Sequence, residues 1–354
     1  MDYIILNGKS SRLIGGLMIQ TLPPITKPLM RTQVETIDGR DGDLVTKLGY
    51  SAYDKEITVG LYGDYDVDEI IKYFDSEGTV IFSNELDKYY QYQIIDQIDF
   101  EKLIRFKTAT VTFHVQPFKY SSVEKPLIMD NMLSIPDQTI TENGVTISIS
   151  DGDISISGNA TTKPMEIYIP INPLIIEKGK YRLLSAVSGD GEKACILKII
   201  KGSPLDSDSF GGSYIDFTSS KHVDADVSGK KTYDCLWMYF YNGIDMDFTF
   251  NLSVLSCQFN VNNLGNAISR PILTLYGSGE IVVDLNGQSI LDIIMPTDLI
   301  TIDAESMEAY KGNTLLNRYV SGNYRSLALK SGFNALSWTG NVTKAVLSKY
   351  SRWI

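Results

Sequence analysis

Histidine and cysteine are scarce: two and three residues respectively in a chain of 354. A serine triad needs a histidine as its base, and His114 lies in FHVQPF, a strand-like run where a structural or interface role is expected. His222 stands in HVDAD, near Asp224 and Asp226. Two nearby carboxylates permit a metal, but the spacing is not diagnostic, and a solvated loop residue is the expectation. Cys195, Cys235 and Cys257 are too few and too scattered for a disulfide framework, and no CxxC pair exists for zinc. Three reduced, buried thiols are expected. No run of about 18 apolar residues occurs, so no membrane span is expected. The start, MDYIILNGKSSRL, lacks a charged region followed by an apolar one, so no secretory signal is expected. Basic charge is also short: 32 Lys and Arg against 43 Asp and Glu, a net charge of −11. Phosphate binding needs a basic footprint, so neither specific nucleic-acid binding nor membrane binding is expected. An acidic wall would still let DNA slide through a channel. GLYGDYD and LYGSG lack the lysine and the strand–loop–helix context of a phosphate loop. So many carboxylates give suitable pairs by chance, and none is singled out for glycoside cleavage. No catalytic residue, metal ligand or cofactor is assigned.

What the chain does have is alternation. Most segments repeat apolar residues with period two, the pattern of half-buried strands. Tyr3 to Leu6, an Asn7-Gly8 turn and a strand ending near Gln20 precede the Pro23-Pro24 break. Residues 30–48 carry two β-like runs around IDGRDGDL, whose Asp-Gly steps and polar tip predict a projecting hairpin arm. DVDEIIKYF (66–74) is the clearest helix, with Asp66 as cap, Glu69 completing a capping box, and Ile70, Ile71, Tyr73 and Phe74 on the apolar side. Gly78 ends that segment. Strands follow at Gly78 to Phe82, Tyr89 to Phe100 and Lys107 to Val115, the last closed by Pro117.

From 129 to about 256 the texture changes. VTISISDGDISIS places Asp151-Gly152 between two alternating runs, which sets Ile149 opposite Ile154 and Ile147 opposite Ile156, with Val145 extending that face. Further strands are read at Met165 to Pro170, Lys180 to Ser185, Ala194 to Ile200, Tyr233 to Tyr241 and Phe248 to Leu255. The Gly-, Ser- and Asp-rich stretch 202–230 reads as loop. Short strands with such loops predict a jelly-roll sandwich. After 259 strands resume, with a two-residue Asn286-Gly287 hairpin and a sharp turn after Asp303.

Two ordered sets of motifs resemble the distal tail proteins of long-tailed phages that infect Gram-positive bacteria. The first set is SSRLIGGLMI, the DGRDG arm, ITVGLYGDYDVDEIIKYF and FHVQPFKYSSVEKPL (113–127). The second is QFNVNNLGNAISRPILTLYGSGEIVVDLNGQS (258–289), LITIDAESMEAY and GFNALSWTGNVTKAVLSKYSRWI. In such proteins the two sets normally stand close together. Here residues 128–257 separate them, so the chain is identified as an enlarged form carrying an insert. The resemblance implies a mainly β chain in three parts. Residues 1–120 would be a β-rich ring-forming domain with one helix and the 30–48 arm. Residues 121–128 plus 257–354 would form a galectin-like β-sandwich, interrupted by a jelly-roll insert at 129–256. The insert is similar to the carbohydrate-binding modules of enlarged family members, on NMLSIPDQTITENGVTISISDGDISISGNAT and KGKYRLLSAVSG. The resemblance implies a homohexameric ring at the virion tail tip, assembled in the host cytoplasm. Its partners would be the tail tube protein, a tail-tip or tail-associated protein, and host cell-wall saccharide.

Aromatic side chains offer the candidate sugar contacts, because aromatic faces can cover the flat C–H faces of sugars. The insert supplies Tyr168, Phe210, Tyr214, Tyr233, Trp237, Tyr239 and Tyr241. In TYDCLWMYFYNG, strict alternation puts Tyr233, Cys235, Trp237, Tyr239 and Tyr241 on one face and Leu236, Met238 and Phe240 on the other. The second face, fully apolar, is expected in the core, leaving Tyr168, Tyr233, Trp237, Tyr239 and Tyr241 as the glycan-binding candidates. The placement of Trp237, in the core or in an open groove, is the decisive observation. Two other readings remain. One is a purely architectural protein whose insert binds a neighbouring tail protein, and the other is a cell-wall glycoside hydrolase.

Overall fold

The computed structural model describes residues 2–159, 164–188, 194–202, 210–216, 221–240 and 245–354. The chain is mainly β, with antiparallel strands throughout and two short α-helices among the described residues. Three separate hydrophobic cores organise it.

The first core lies under a sheet whose strands run, in spatial order, Lys9–Ser10, Ile4–Leu6, Glu77–Phe82, Lys88–Gln93, Thr108–Ser121, Tyr53–Leu61 and Leu17–Thr21. Period-two burial in Tyr53–Leu61 and Thr108–Ser121 sends Ile57, Val59, Val111, Phe113 and Val115 inward. Helix α1, Val67–Phe74, starts at Asp66, whose carboxylate accepts hydrogen bonds from the N–H groups of Asp68 (2.9 Å) and Glu69 (3.4 Å). Glu69 reaches Lys9 at 3.3 Å. Ile70, Tyr73 and Phe74 are buried, whereas Ile71, expected on the same side, faces outward at 38% exposure. The helix stops at Asp75, and Gly78 belongs to the following strand.

Two further expectations fail here for local reasons. The run expected as one strand from Tyr89 to Phe100 is a strand, Lys88–Gln93, followed by helix α2, Phe100–Phe106. Asp99 caps α2 by accepting from Lys102 N at 2.8 Å, and Lys107 closes it in a left-handed conformation. With seven residues, of which only Leu103 is buried, this helix shows almost no helical period. Thr108–Ser121 continues past Pro117, where it was expected to close. Pairing to Tyr53–Leu61 ends at Val115, and the register to Lys88–Gln93 shifts between Tyr90 and Tyr92. The missing N–H of Pro117 therefore falls at a bulge, where no ladder bond is lost.

From the rim of this sheet the strands Met30–Thr36 and Asp43–Tyr50 leave as an isolated two-stranded hairpin. Its root is held by Tyr50 packing edge-on against Phe118 and by Lys55 Nζ donating to the Pro24 carbonyl at 2.9 Å.

The middle region is a sandwich. A six-stranded sheet (Gln138–Glu142, Val145–Ser150, Asp153–Asn159, Asp245–Ser256, Gly179–Ser188, Lys221–Val227) faces a four-stranded one (Met165–Ile176, Lys231–Phe240, Ala194–Ile200, Phe210–Asp216) across one core. Ile147 pairs with Ile156 and Ile149 with Ile154, all buried along with Val145, as the Asp151-Gly152 turn required. Both turn residues have positive φ, 53° and 85°. The stretch 202–230, expected to be loop, contains the strands Phe210–Asp216 and Lys221–Val227. Their Gly, Ser and Asp content masks a strand role that pairing with apolar neighbours confers.

In the third core, Leu127–Met129 and Gln258–Asn263 both pair with the long strand Gly332–Ser348. The chain thus joins this nine-stranded sheet on each side of the middle region. Ile272–Leu285 turns into Gln288–Met295 through Asn286-Gly287, as expected. After Asp303 the chain turns where expected, and Asp303 Oδ1 accepts from Glu305 N and Ser306 N. The last strand, Arg352–Trp353, returns to the first sheet and pairs with Thr108–Ser121.

Candidate functional site

The outer face of the four-stranded sheet carries the aromatic candidates. Met165–Ile176 and Lys231–Phe240 are antiparallel, with Tyr168 opposite Trp237 and Glu166 opposite Tyr239. Ala194–Ile200 flanks the other side, with Lys198 opposite Trp237. Leu236, Met238 and Phe240 are fully buried in the core, as their apolar face required. Trp237, Tyr168 and Tyr239 therefore share the outward face.

Glu166 organises this surface. One carboxylate oxygen accepts from the Tyr168 hydroxyl at 2.7 Å and from Trp237 Nε1 at 3.3 Å. The hydrogen bond to Glu166, then partial burial, raises the Tyr168 phenol above its ordinary pKa. Trp237 and Tyr239 lie 5.7 Å apart with rings tilted by 34°, and the Lys198 ammonium sits 5.7 Å from the Trp237 ring centre. Trp237 is only 7% exposed while Tyr168 is 43% exposed. The tryptophan is thus neither in the core nor in an open groove. It is a covered ring beside an open tyrosine.

Tyr233 leaves the candidate set. The register with Met165–Ile176 shifts between Cys235 and Tyr233, and beyond that shift Tyr233 turns inward beside Leu174. At 3% exposure it cannot offer a ring face to a ligand. At that shift residues 171–173 of one strand stand against residue 234 of the other, an irregularity that strict alternation cannot foresee. Tyr241 and the side chains of Phe210 and Tyr214 lie outside the described residues. The residues that sequence reasoning missed are Glu166 and Lys198. Position 166 was findable as the i−2 neighbour of Tyr168 on one strand face, whereas Lys198 needed the sheet order.

The other candidates offer little chemistry. His114 Nδ1 meets Asp54 Oδ1 at 2.8 Å across neighbouring strands. His222 belongs to a strand rather than the expected loop, and its side chain lies outside the described residues. Asp224 is held by Arg182 through a two-point contact of 2.5 and 2.8 Å, so its carboxylate is committed. No cluster of metal-ligating side chains occurs among the described residues. Burial pushes the Cys257 thiol up to about 11 and raises Cys235 as well, the opposite of an activated nucleophile. The side chain of Cys195 lies outside the described residues.

The hairpin arm is the second functional candidate. Leu29, Val34, Ile37, Leu44, Val45 and Leu48 are each more than 40% exposed along it. Val34 and Val45 are cross-strand partners on one face. A lone two-stranded ribbon is marginal in water, and its outer edges carry unpaired N–H and C=O groups.

No family model matches this chain, and no curated protein matches it. Among solved structures it is similar to the SPP1 Dit protein, described as a paradigm of hub adsorption apparatus in Gram-positive infecting phages. The TM-score is 0.43 at 11% identity, over 98% of this chain and 97% of that one. It is also similar to a chain of the phage P2 baseplate in its activated conformation, with calcium and with strontium. There the TM-score is 0.31 at 14% identity, over 99% of this chain and 98% of that one.

Proposed function

We propose that this chain is a structural protein of a phage tail, located at the tail tip of the virion, where six copies form a ring joining the tail tube protein to a tail-tip protein. Residues 1–120 form the ring domain, 121–128 with 257–354 the galectin-like sandwich, and 129–256 the inserted module. The observation that carries this reading is the isolated arm. A ring requires head-to-tail contacts that close on themselves. A hairpin with free edges and exposed valines meets that need by adding its strands to a neighbouring copy. The three cores and the ordered motifs before and after the insert support the same division. Deleting residues 31–49 tests it. The intact protein is expected to give closed rings by electron microscopy and a ring mass by light scattering, and the deletion to give monomers with unchanged melting. An intact protein that stays monomeric at assembly concentrations refutes the reading.

The insert, in this reading, adds host recognition. Tyr168, held by Glu166 beside Trp237, presents an aromatic ring next to a carboxylate, a pairing suited to a sugar face and its hydroxyls. A single shallow site of about 1 mM affinity is worth roughly −4 kcal/mol. Six sites on one ring raise apparent affinity by roughly 10² to 10⁴. Tyr168→Ala should abolish binding of the assembled ring to purified host wall polysaccharide while leaving ring formation intact. The closed position of Trp237 favours a second reading, in which this face meets a neighbouring tail protein and the module is purely architectural. Unchanged polysaccharide binding by Tyr168→Ala, with loss of baseplate assembly, would select it.

A further inference from the structure

A cleft with no lining residue from the insert lies where the first sheet meets the third core. Its cavity of about 350 Å³ is lined by Tyr89 and Tyr120 from the sheet and by Arg270, Glu305, Tyr350 and Arg352 from the C-terminal part of the chain. A second cavity of about 460 Å³ shares Thr79, Tyr89 and Tyr350 with it, so the two form one trough. Volumes of this order are those of small-molecule sites.

Tyr350 is the unusual residue. Its φ of 47° places a bulky side chain in the left-handed region, where glycine or asparagine sits with far less strain. The backbone beside it is pinned. Ser351 N donates to Glu124 Oε2 at 2.8 Å, and the buried Ser351 hydroxyl accepts from Leu264 N at 3.2 Å. Lys349 pairs with Glu124 at 3.0 Å. A turn alone would be served better by glycine. The tyrosine instead sets a ring that is 38% exposed on the wall shared by both cavities. Behind it, Tyr89 and Tyr120 are stacked at 5.3 Å and 22°.

Charge narrows the ligand class. Glu305 pairs with Arg352 at 3.2 Å and lies 3.6 Å from Arg270, Asp303 lines the same cavity, and Lys125, Lys349 and Glu124 line the other, so four cations meet three anions along the trough. That balance disfavours nucleotides and other strongly charged ligands. The sheet strands that line the trough, Glu77–Phe82, Lys88–Gln93 and Thr108–Ser121, are interior strands paired on both sides. They offer no free edge to an extended peptide. Tyrosine rings combined with fixed guanidinium and carboxylate groups suit an uncharged, hydroxyl-rich ligand.

We propose that this trough is a second saccharide site, built into the frame rather than the insert, which takes a short uncharged oligosaccharide with Tyr350 as its aromatic platform. The site does not depend on the insert binding sugar. The test uses the full chain, titrated by calorimetry and saturation-transfer NMR with two probes, an N-acetylglucosamine tetramer and maltohexaose. At least one probe is expected to bind, with saturation transfer at Tyr350 and Tyr89. Tyr350→Gly relieves the backbone and keeps or raises the melting temperature, yet weakens that probe by about tenfold. Tyr168→Ala leaves this binding unchanged, which separates the trough from the insert's face. The proposal is overturned if neither probe binds at millimolar concentration. It is equally overturned if Tyr350→Gly binds as the parent does, or if ring assembly alone shields these tyrosines and excludes the probes.

Discussion

The arm at 30–50 and the hairpin at 145–159 follow the same local rules and end in opposite surroundings. Both are antiparallel runs joined through Asp-Gly steps. In the insert, one face of the hairpin disappears into a core, where Val145, Ile147, Ile149, Ile154 and Ile156 are at most 4% exposed. In the arm, Val34 and Val45 remain 55% exposed. Local turn chemistry therefore decides that a hairpin forms, and long-range packing decides whether it is self-sufficient. The arm's apolar face is unspent within one copy, and this is the reason to look for its partner in another.

The widest separation of the two hairpins comes from cutting the same kind of contact in each. Ile156→Ala removes buried methyl groups from the insert's core and should destabilise that module by about 3 kcal/mol. Chemical denaturation followed by Trp237 fluorescence would read the loss. A cost below about 1 kcal/mol would mean that the insert hairpin is no better anchored than the arm.

The root of the arm behaves differently from its tip. Lys55 is 3% exposed, lies 4.9 Å from the Tyr90 ring centre, and ties the segment before the arm through the Pro24 carbonyl. Burial lowers its pKa to about 8, against the opposing pull of Glu85. The unfolded chain keeps that proton up to the ordinary lysine range, so between about pH 8 and 10 the unfolded state binds more protons and stability rises with pH. Below pH 8 both states are charged and the dependence is flat. Tyr53 and Tyr89, pushed up to about 12 by burial, act in the opposite sense above pH 10, where the unfolded chain loses its phenolic protons first. Lys55→Met should remove the rise between pH 8 and 10, a difference on the order of 2 kcal/mol across the window. Denaturation midpoints of both proteins at pH 7.5 and 9.5 would show it. Equal slopes would mean that Lys55 is solvated and the root is loose.

Much of this contrast was legible in the residues, and the illegible part has definite causes. Period-two alternation located the paired isoleucines and the core face of Leu236, Met238 and Phe240, because burial on one side of a pleat forces that period, while Asp-Gly turn chemistry located the arm. Helix α2 escaped because seven residues with one buried side chain leave no periodic trace. The strands Phe210–Asp216 and Lys221–Val227 escaped because their composition is that of turns and only their sheet partners make them strands. In the candidate site, alternation put Trp237 and Tyr239 on one face, whereas the placement of Tyr168 opposite Trp237 needed the strand register. Tyr233 was misplaced, because it lies beyond an irregularity in the strand pairing, where it is buried beside Leu174. The covering of Trp237 was invisible as well, since Glu166 and Lys198 reach it from two different strands.

The smallest effect on the single copy should come from the arm itself, and there the comparison is sharpest. Replacing Val34 and Val45 together by serine removes two exposed apolar side chains whose burial in one copy is slight. Surface changes of this kind usually stay within about 0.5 kcal/mol, so the melting temperature of the monomer should hardly move. Buried in a neighbouring copy, each valine would contribute roughly 1.5 kcal/mol or more, and every interface of a closed ring would lose both. Ring formation should therefore shift to at least tenfold higher protein concentration, measured by light scattering across a dilution series. A variant that melts well below the parent would place these valines in an intramolecular core. One that assembles as the parent does would leave the arm's apolar face without a role in the ring.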